Sequence, residues 1–180
     1  LCASRGLGDV YKRQVSAAKE LGVDYYQGSS LNLINRFIQA SGDMRDNDII
    51  VRFTADNPIC FENIANAIYK KTFDKDYVAI HNLSHIAPEF IKVGALRKLS
   101  DITSNAVDIE HVTTFFRRKQ GLKVFNVEIL PNDFMGIRPD LDKYLTVDTK
   151  KDLVRLETIF TNVTELSLQN LYEYLDKNIN

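Results

Sequence analysis

The sequence predicts an α/β domain with a mostly parallel sheet and helices on both faces. Short apolar runs rich in β-branched and aromatic residues indicate strands. Segments of about ten residues with apolar side chains at helical spacing separate these runs, and such alternation is typical of parallel strands joined by crossover helices. No internal repeat, low-complexity tract or linker divides the 180 residues, a length that suits one domain.

The composition is that of a folded protein, with 44% hydrophobic and 26% charged residues. Lys and Arg total 23 against 24 Asp and Glu, so no strong field attracts nucleic acid or an anionic membrane. No apolar run approaches the roughly 20 residues that a membrane helix needs. Cys2 and Cys60 lack a metal-type spacing and predict no disulfide framework. We therefore expect a cytoplasmic protein with no nucleic-acid or membrane partner.

The N-terminal residues differ in character from the rest. Leu1–Gln14 (LCASRGLGDVYKRQ) shows no clear amphipathic period and no cap leading into a helix. It resembles a translated library linker, which would make it a non-native tail; a disordered tail is the alternative, and neither has a role in function. We expect the domain to occupy residues 15–180 and to be incomplete, with residues lost upstream.

In the first half of the chain, helices and strands alternate. Gly22 is suited to end the first helix, and Ser29 and Ser30 are suited to cap the second. The run IIVRFT is β-branched and aromatic, as expected of a buried strand. The predicted helices are Val15–Leu21, Leu31–Ser41 and Phe61–Phe73, and the predicted strands are Val23–Gln27, Ile49–Thr54 and Tyr77–Ile80.

The second half continues the alternation. Pro88 lacks a backbone donor, which favours an extended edge segment over Ala87–Val93. Thr149 is a plausible cap for the helix that follows it. The predicted helices are Gly94–Leu99, Val107–Arg118, Thr149–Phe160 and Leu166–Leu175, and the predicted strands are Lys123–Leu130 and Tyr144–Val147.

The first segment that could carry chemistry is VRFTADNP, in which a strand runs into Asp56 and is stopped by Pro58. In open α/β sheets, ligands bind where the chain leaves the carboxyl end of a strand. A carboxylate there can hold a Mg²⁺ ion that bridges phosphate oxygens. The alternative is that Asp56 only forms an Asx-turn.

The second segment is YLTVDTKKDL, in which Asp148 follows a predicted strand and precedes a helix. A carboxylate ahead of a helix also suits the helix dipole, so a simple cap is the alternative. Two strand-end carboxylates in one small sheet could share a metal ion. The sequence spacing does not decide whether Asp56 and Asp148 meet.

Weaker signals lie elsewhere. Gly28 and Ser29 precede a helix, whose N-terminal N–H groups favour anions. His111 could bind phosphate or exchange a proton, but a lone histidine is more often packed, and the adjacent Glu110 diverges from it by about 100° on a helix. Cys60 is interpreted as a small packed residue and not as a nucleophile.

Five segments occur in a definite order between Val15 and the C-terminus: KELGVDYYQGSS, DIIVRFTADNPI, EHVTTFF, YLTVDTKKDL and LSLQNLYEYLDKN. Together they resemble the cytidylyltransferase family of the spore-coat polysaccharide biosynthesis type, which is related to the CMP-sugar synthetases. Any one segment would be a weak match, whereas their shared order and spacing make the resemblance fairly specific.

The resemblance implies a Rossmann-like nucleotidyltransferase fold of the glycosyltransferase-A type. It implies transfer of CMP from CTP to a sugar or sugar acid for cell-surface polysaccharide, with release of pyrophosphate. Asp56 and Asp148 match the catalytic, metal-binding positions, which implies Mg²⁺ as cofactor. Arg52 matches a position next to the nucleotide, and Glu110 and His111 match a motif near the sugar pocket. Whether the protein forms a homodimer is left open.

The chain departs from the family pattern in four places. The strand or strands that open the family's domain are missing, together with the nucleotide-binding loop that contains Gly, Arg and Lys. Asn57 stands where the family often has Cys or Glu, and Ile109 replaces an Arg before EHVT. The segment HIAPE, ending in Glu89, replaces a Gly-x-Asp-x-Glu pattern, and Glu89 is taken as a pocket residue from that place alone. We therefore expect little turnover from this chain by itself. A non-catalytic nucleotide-sugar binding module and a glycosyltransferase of the same fold stay open as alternatives.

Overall fold

The computed structural model describes residues 8–178, with the side chains of residues 12–178. Its strands form one sheet in the order β1-β3-β2-β4: β1 (Ile49–Arg52), β2 (Tyr77–Ile80), β3 (Glu89–Lys92) and β4 (Val127–Leu130). The helices are α1 (Gly8–Glu20), α2 (Leu33–Ala40), α3 (Glu62–Tyr69), α4 (Val93–Ile102), α5 (Ala106–His111), α6 (Thr114–Arg117), α7 (Lys119–Val124), α8 (Asp142–Leu145), α9 (Lys150–Asn162) and α10 (Leu168–Asn178), with a 3₁₀ turn at Phe134–Gly136. None of the helices described is both long and apolar enough to cross a membrane.

The sheet is mixed, so the α/β class is confirmed but the prediction of a mostly parallel sheet is wrong. The Asp76 N–H bonds to the Asn126 carbonyl at 2.8 Å, and β2 and β4 run parallel. The end of β3 lies beside the start of β1 and of β2, through bonds from the Val93 N–H to the Asp48 carbonyl and from the Lys92 N–H to the Asp76 carbonyl. Strand β3 is therefore antiparallel to both neighbours. Only residues 81–88 join β2 to β3, fewer than the dozen or so residues that a parallel crossover needs.

Several strand predictions are corrected. Ala87–Val93 contains β3, which lies between β1 and β2 and not at an edge. Strand β1, predicted to be buried, has Val51 45% exposed and lies at the end of the strand order. Val23–Gln27 contributes only one bridge residue, because the Val23 N–H is bonded back to the Ala18 carbonyl at the end of α1.

Two further strand predictions are wrong, because helical turns form where strands were expected. Tyr144–Val147 was expected as a strand, but Leu141 and Leu145 are both fully buried, a spacing that suits one turn of helix, and α8 forms there. In Lys123–Leu130 the first two residues end α7, and the strand begins only at Val127.

The predicted helix over Val107–Arg118 divides into α5 and α6 at Val112. Val112 has φ 59° and ψ −52°, and the Thr113 N–H bonds to the His111 carbonyl at 2.5 Å, the pattern of a γ-turn. Positive φ is rare for a β-branched residue, yet the Val112 side chain is fully buried. Tertiary packing therefore ends α5 where the local pattern predicts a continuous helix.

The structure describes only part of the predicted N-terminal tail, Leu1–Gln14. Residues 1–7 lie outside the described residues. Residues 8–14 belong to α1, so the helix predicted over Val15–Leu21 begins earlier than expected and ends at Glu20. The origin of this segment as a non-native tail, and the incompleteness of the domain, stay predictions.

The described chain divides into two compact units. The first comprises the chain up to Val51 together with Asp74–Tyr77 and Phe90–Glu128. Its core includes an aromatic cluster, with ring centroids 4.9 Å apart for Tyr77 and Phe116 and 4.8 Å apart for Phe116 and Phe125. Such ring pairs add to the stabilisation that burial of their apolar area provides.

The second unit comprises Arg52–Phe73, Val78–Glu89 and the chain from Ile129 onward. It contains Asp56 and Asp148. Apolar side chains of α3, α8, α9 and α10, with those of the segments next to them, supply much of its core: Ile59, Ile64, Ile68, Leu141, Leu145, Leu156, Ile159, Leu171 and Leu175. This core fixes the positions of the helices and loops that carry the two carboxylates.

Helix α9 begins with a capping box, as the sequence predicts for Thr149. The Thr149 side chain accepts a hydrogen bond from the Asp152 N–H, and the Asp152 carboxylate accepts from the Thr149 N–H at 2.8 Å. Two N–H groups that would otherwise lack a partner are thereby satisfied.

Removing this cap should weaken the fold. Thr149→Ala is expected to lower the free energy of unfolding by about 1 kcal/mol, measured by urea denaturation. Thr158→Ala is the matched control, because Thr158 lies exposed on the same helix and should change stability by less than about 0.5 kcal/mol. Equal effects of the two substitutions would contradict a specific role for the cap.

Candidate functional site

A cavity of about 330 Å³ in the second unit brings the two predicted metal-binding residues together. Three loop or helix segments supply its lining side chains: Asp56, His85, Asp142, Lys143, Thr146, Asp148, Asp152 and Arg155. Most of these side chains are charged, and carboxylates outnumber the cationic groups. The cavity is therefore suited to a cation or to a polar ligand accompanied by one.

A backbone hydrogen bond ties the two acidic segments to each other. Asp56 lies in a turn after β1, and its carbonyl accepts from the Val147 N–H at 2.8 Å. Asp148 is the next residue. The sequence predicted that Asp148 follows a strand, and this is wrong. The backbone bond nevertheless places Asp148 at the same cavity as Asp56.

The Asp56 carboxylate is only half satisfied. Its Oδ2 lies 2.9 Å from Nδ1 of His85, whereas its Oδ1 is buried without a hydrogen-bond partner among the described residues. Leaving a buried acceptor unpaired costs about 1–3 kcal/mol, so such an atom calls for an explanation such as a bound ion or water. The side chains of Thr54 and Asn57, on either side of Asp56, also carry one buried unpaired atom each.

Asp148 is not the helix cap that the alternative interpretation proposed. Thr149 holds the cap position of α9, and the Asp148 N–H donates to the Asp152 carboxylate at 3.3 Å. The Asp148 carboxylate makes no hydrogen bond or ion pair with another described residue. It is therefore free to contact a ligand in the cavity.

Arg155 holds the loop between α8 and α9 in place. Its guanidinium donates to the carbonyls of Tyr144 and Thr146 at 3.0 and 3.1 Å and to the Asp152 carboxylate at 2.6 Å. Hydrogen bonds from the Thr149 hydroxyl and from Arg155 lower the pKa of Asp152 to about 2. The side chains of Arg155 and Asp152 therefore stabilise the loop that carries Asp148.

Arg52 and Glu89 form an ion pair in this structure and do not line the cavity. Glu89, at the start of β3, is fully buried and accepts a hydrogen bond from the Arg52 guanidinium at the end of β1. The predicted roles of these residues in nucleotide and substrate binding stay predictions. Their contact shows that antiparallel pairing of β1 with β3 brings these two charges together.

The other predicted binding residues belong to the first unit. The Ser29 hydroxyl accepts from the N–H groups of Leu31 and Asn32, while Asn32 and not a serine caps α2. A Cβ at Gly28 would lie 2.8 Å from the Arg36 side chain, so a larger residue would have to displace it. Glu110 and His111 lie in the last turn of α5, beside the γ-turn at Val112.

Cys60 is exposed, and the interpretation as a packed residue is wrong. Partial burial of the thiol, with a smaller effect of Glu62, raises its pKa. A raised pKa keeps the sulfur protonated and argues against a nucleophilic role.

Sequence reasoning missed most of the residues that line the cavity. A capping-box pattern, Thr149-x-x-Asp152, was available to find Asp152. No local pattern identifies His85 or Arg155, because their positions depend on contacts between distant segments. Among the described residues, no group of three or more His, Cys, Asp or Glu side chains is arranged to hold a metal ion.

Comparison with known proteins defines the fold. The chain superposes on a cytidylyltransferase from Leptospira borgpetersenii serovar Hardjo-bovis (strain JB197) with a TM-score of 0.74 and 23% identity, over 93% of this chain and 71% of that one. It is thus an α/β protein with the fold of that enzyme. No protein-family model matches the chain.

One curated relative defines the family. The chain is 30% identical over 176 residues to the uncharacterized protein MJ1063 of Methanocaldococcus jannaschii, a match that covers 91% of this chain and 68% of that protein. The chain belongs to the same family as that protein.

The buried ion pair generates a prediction about Glu89. Glu89→Ala should lower the free energy of unfolding by about 3 kcal/mol, because it removes one member of a buried charge pair. Chemical denaturation measures the change. The control is Asp176→Ala, which removes the partner of Arg138 in an exposed pair and should cost less than about 1 kcal/mol. A stable Glu89→Ala protein that loses only ligand affinity would place Glu89 in the substrate site instead.

The lowered pKa of Asp152 predicts that the stability of the fold depends on pH. Because its folded-state pKa lies below the ordinary 3.8, the ionised carboxylate stabilises the fold fully above about pH 4, and the effect is lost as the pH falls through about 2. The Tm difference between wild type and Asp152→Asn should therefore be largest near pH 6 and shrink toward about pH 2. Scanning calorimetry across this range tests it, and a difference independent of pH would refute the role of the charge.

Proposed function

We propose that this protein is a nucleotidyltransferase that transfers CMP from CTP to a sugar or sugar acid, with release of pyrophosphate, for cell-surface polysaccharide biosynthesis. The observation that carries the proposal is the placement of Asp56 and Asp148 at one cavity, with one Asp56 oxygen buried and unpaired. The likeness in fold to a cytidylyltransferase and the order of the five sequence segments support it.

The charge of the cavity supports a metal-dependent substrate. Four aspartates line it against Lys143 and Arg155, and Arg155 is already engaged by Asp152 and by two carbonyls. A triphosphate alone would be repelled by this excess of negative charge. The residues fit Mg²⁺, which is commonly held by one or two carboxylates and completes its coordination with water and phosphate oxygens.

In the proposed reaction, Asp56 and Asp148 would hold Mg²⁺ against the phosphates, and the bound ion would supply neutralisation of their charge. The sugar hydroxyl oxygen forms a bond to the α-phosphorus of CTP while the bond from that phosphorus to pyrophosphate breaks, and the hydroxyl proton is released to solvent. Such transfers depend on in-line placement and charge stabilisation more than on covalent chemistry by the protein. The fixed loop after α8 supports that placement by holding Asp148 at the cavity that Asp56 also lines.

Substitution of the two carboxylates should abolish metal-dependent nucleotide binding. Asp56→Asn and Asp148→Asn are each expected to weaken the affinity for CTP by at least about tenfold with Mg²⁺ present. Without the metal, the affinity should stay the same or rise slightly, because each substitution removes a negative charge that repels the triphosphate. Isothermal titration calorimetry measures both affinities. The matched control is Asp133→Asn, since Asp133 is an exposed loop aspartate that does not line the cavity.

Product analysis separates this function from its alternatives. With α-labelled CTP and a panel of sugars and sugar acids, the proposal requires release of pyrophosphate and transfer of the label to the sugar, at the low rate expected of this chain by itself and with a full-length relative as the positive control. Binding of a nucleotide sugar without any reaction would support a binding module. Transfer of the sugar from such a donor, without pyrophosphate, would support a glycosyltransferase. CTP binding that is indifferent to Mg²⁺ and to both aspartates would refute the proposal.

A further inference from the structure

His85 is a cavity residue that no sequence pattern singled out for this role. It lies in the connection between β2 and β3, and its side chain is 43% exposed toward solvent. Its Nδ1 lies 2.9 Å from Oδ2 of Asp56, and both residues line the same cavity. The contact joins two segments, one following β1 and the other following β2.

The backbone around His85 is held firmly. The N–H groups of Ile86 and Ala87 both donate to the Leu83 carbonyl, at 3.1 and 2.9 Å, which closes a tight turn over residues 83–87. Leu83 and Ile86 are buried with 1% and 2% exposure, so the turn is anchored on both sides of His85. Pro88 follows and restricts the chain further. The imidazole is therefore presented from a packed turn and not from a loose loop.

The bond to His85 determines which oxygen of Asp56 is left for a ligand. A carboxylate can rotate and exchange its two oxygens unless one of them is held. Here Oδ2 is held by His85, and Oδ1 is the buried oxygen without a partner. Nδ1 donates to Oδ2 when it carries a proton, as it does in the charged ring and in one of the two neutral tautomers.

We infer that His85 is a positioning residue that orients the Asp56 carboxylate so that its Oδ1 faces a divalent cation. This inference rests on the proposed function, because it assumes that Asp56 binds the metal. An exposed His–Asp pair adds little stability by itself. Since the pair also leaves a costly unpaired oxygen, a role in ligand placement explains the geometry better than a role in folding.

Metal affinity tests the inference without any turnover. Mn²⁺ serves as a paramagnetic probe of the site, and its binding to the whole chain is measured by electron paramagnetic resonance at one fixed pH. His85→Asn places an amide nitrogen where Nδ1 stands and can keep the donor, whereas His85→Gln places its amide nitrogen near Nε2. Partners that orient metal ligands typically contribute about 10–100-fold in affinity, so His85→Gln should weaken Mn²⁺ binding about tenfold and His85→Asn should retain most of it.

Two controls make the outcomes distinct. His81→Gln alters an exposed histidine of the same connection that does not line the cavity, and it should bind Mn²⁺ as wild type does. Asp56→Ala should abolish binding. If wild type binds Mn²⁺ and loses it in Asp56→Ala while His85→Gln binds as tightly as wild type, the metal site stands and the role of His85 is refuted. If wild type binds no Mn²⁺ even with CTP, the proposed metal site fails and the inference fails with it.

Discussion

The cavity depends on one backbone hydrogen bond, from the Val147 N–H to the Asp56 carbonyl. It joins two segments that are distant in sequence, and Asp148 takes its place as a direct result. The bonds from Arg155 to the carbonyls of Tyr144 and Thr146 restrain the chain just before this point. The capping box restrains it just after. Asp148 is thus located by main-chain geometry on both sides, and its own carboxylate need not take part in holding the fold.

The parts of the site that the sequence predicted are those with a local physical cause. A β-branched run ended by Asp and Pro marks the end of a strand, and this pattern was sufficient to select Asp56. Thr149 was found from its position ahead of an amphipathic segment, because a cap satisfies N–H groups of its own helix. The α/β class followed from alternating periodicities, which likewise need no knowledge of distant contacts.

The parts that could not be predicted depend on contacts between distant segments. The direction of β3 is set by how few residues connect it to β2, and no local pattern in those residues predicts a definite turn. Tyr144–Val147 reads as a strand until the burial of Leu141 and Leu145 is known. Glu89 was selected by its place in a motif, but the pairing of β1 with β3 places it against Arg52. His85 approaches Asp56 because the segments that follow β1 and β2 come together, although β3 separates the two strands in the sheet.

The γ-turn at Val112 sets a cost in backbone conformation against a gain from side-chain burial in the first unit. A non-glycine residue in such a conformation costs about 1–3 kcal/mol, and full burial of a valine side chain returns about 1.5–3 kcal/mol. The two nearly cancel, so this break between helices rests on tertiary contacts and not on any backbone preference. A shorter side chain there would keep the conformational cost and lose the compensating contacts. Glycine would also lose the contacts, but it would avoid the conformational cost. At this position the usual ranking of alanine over glycine in helical regions is expected to reverse.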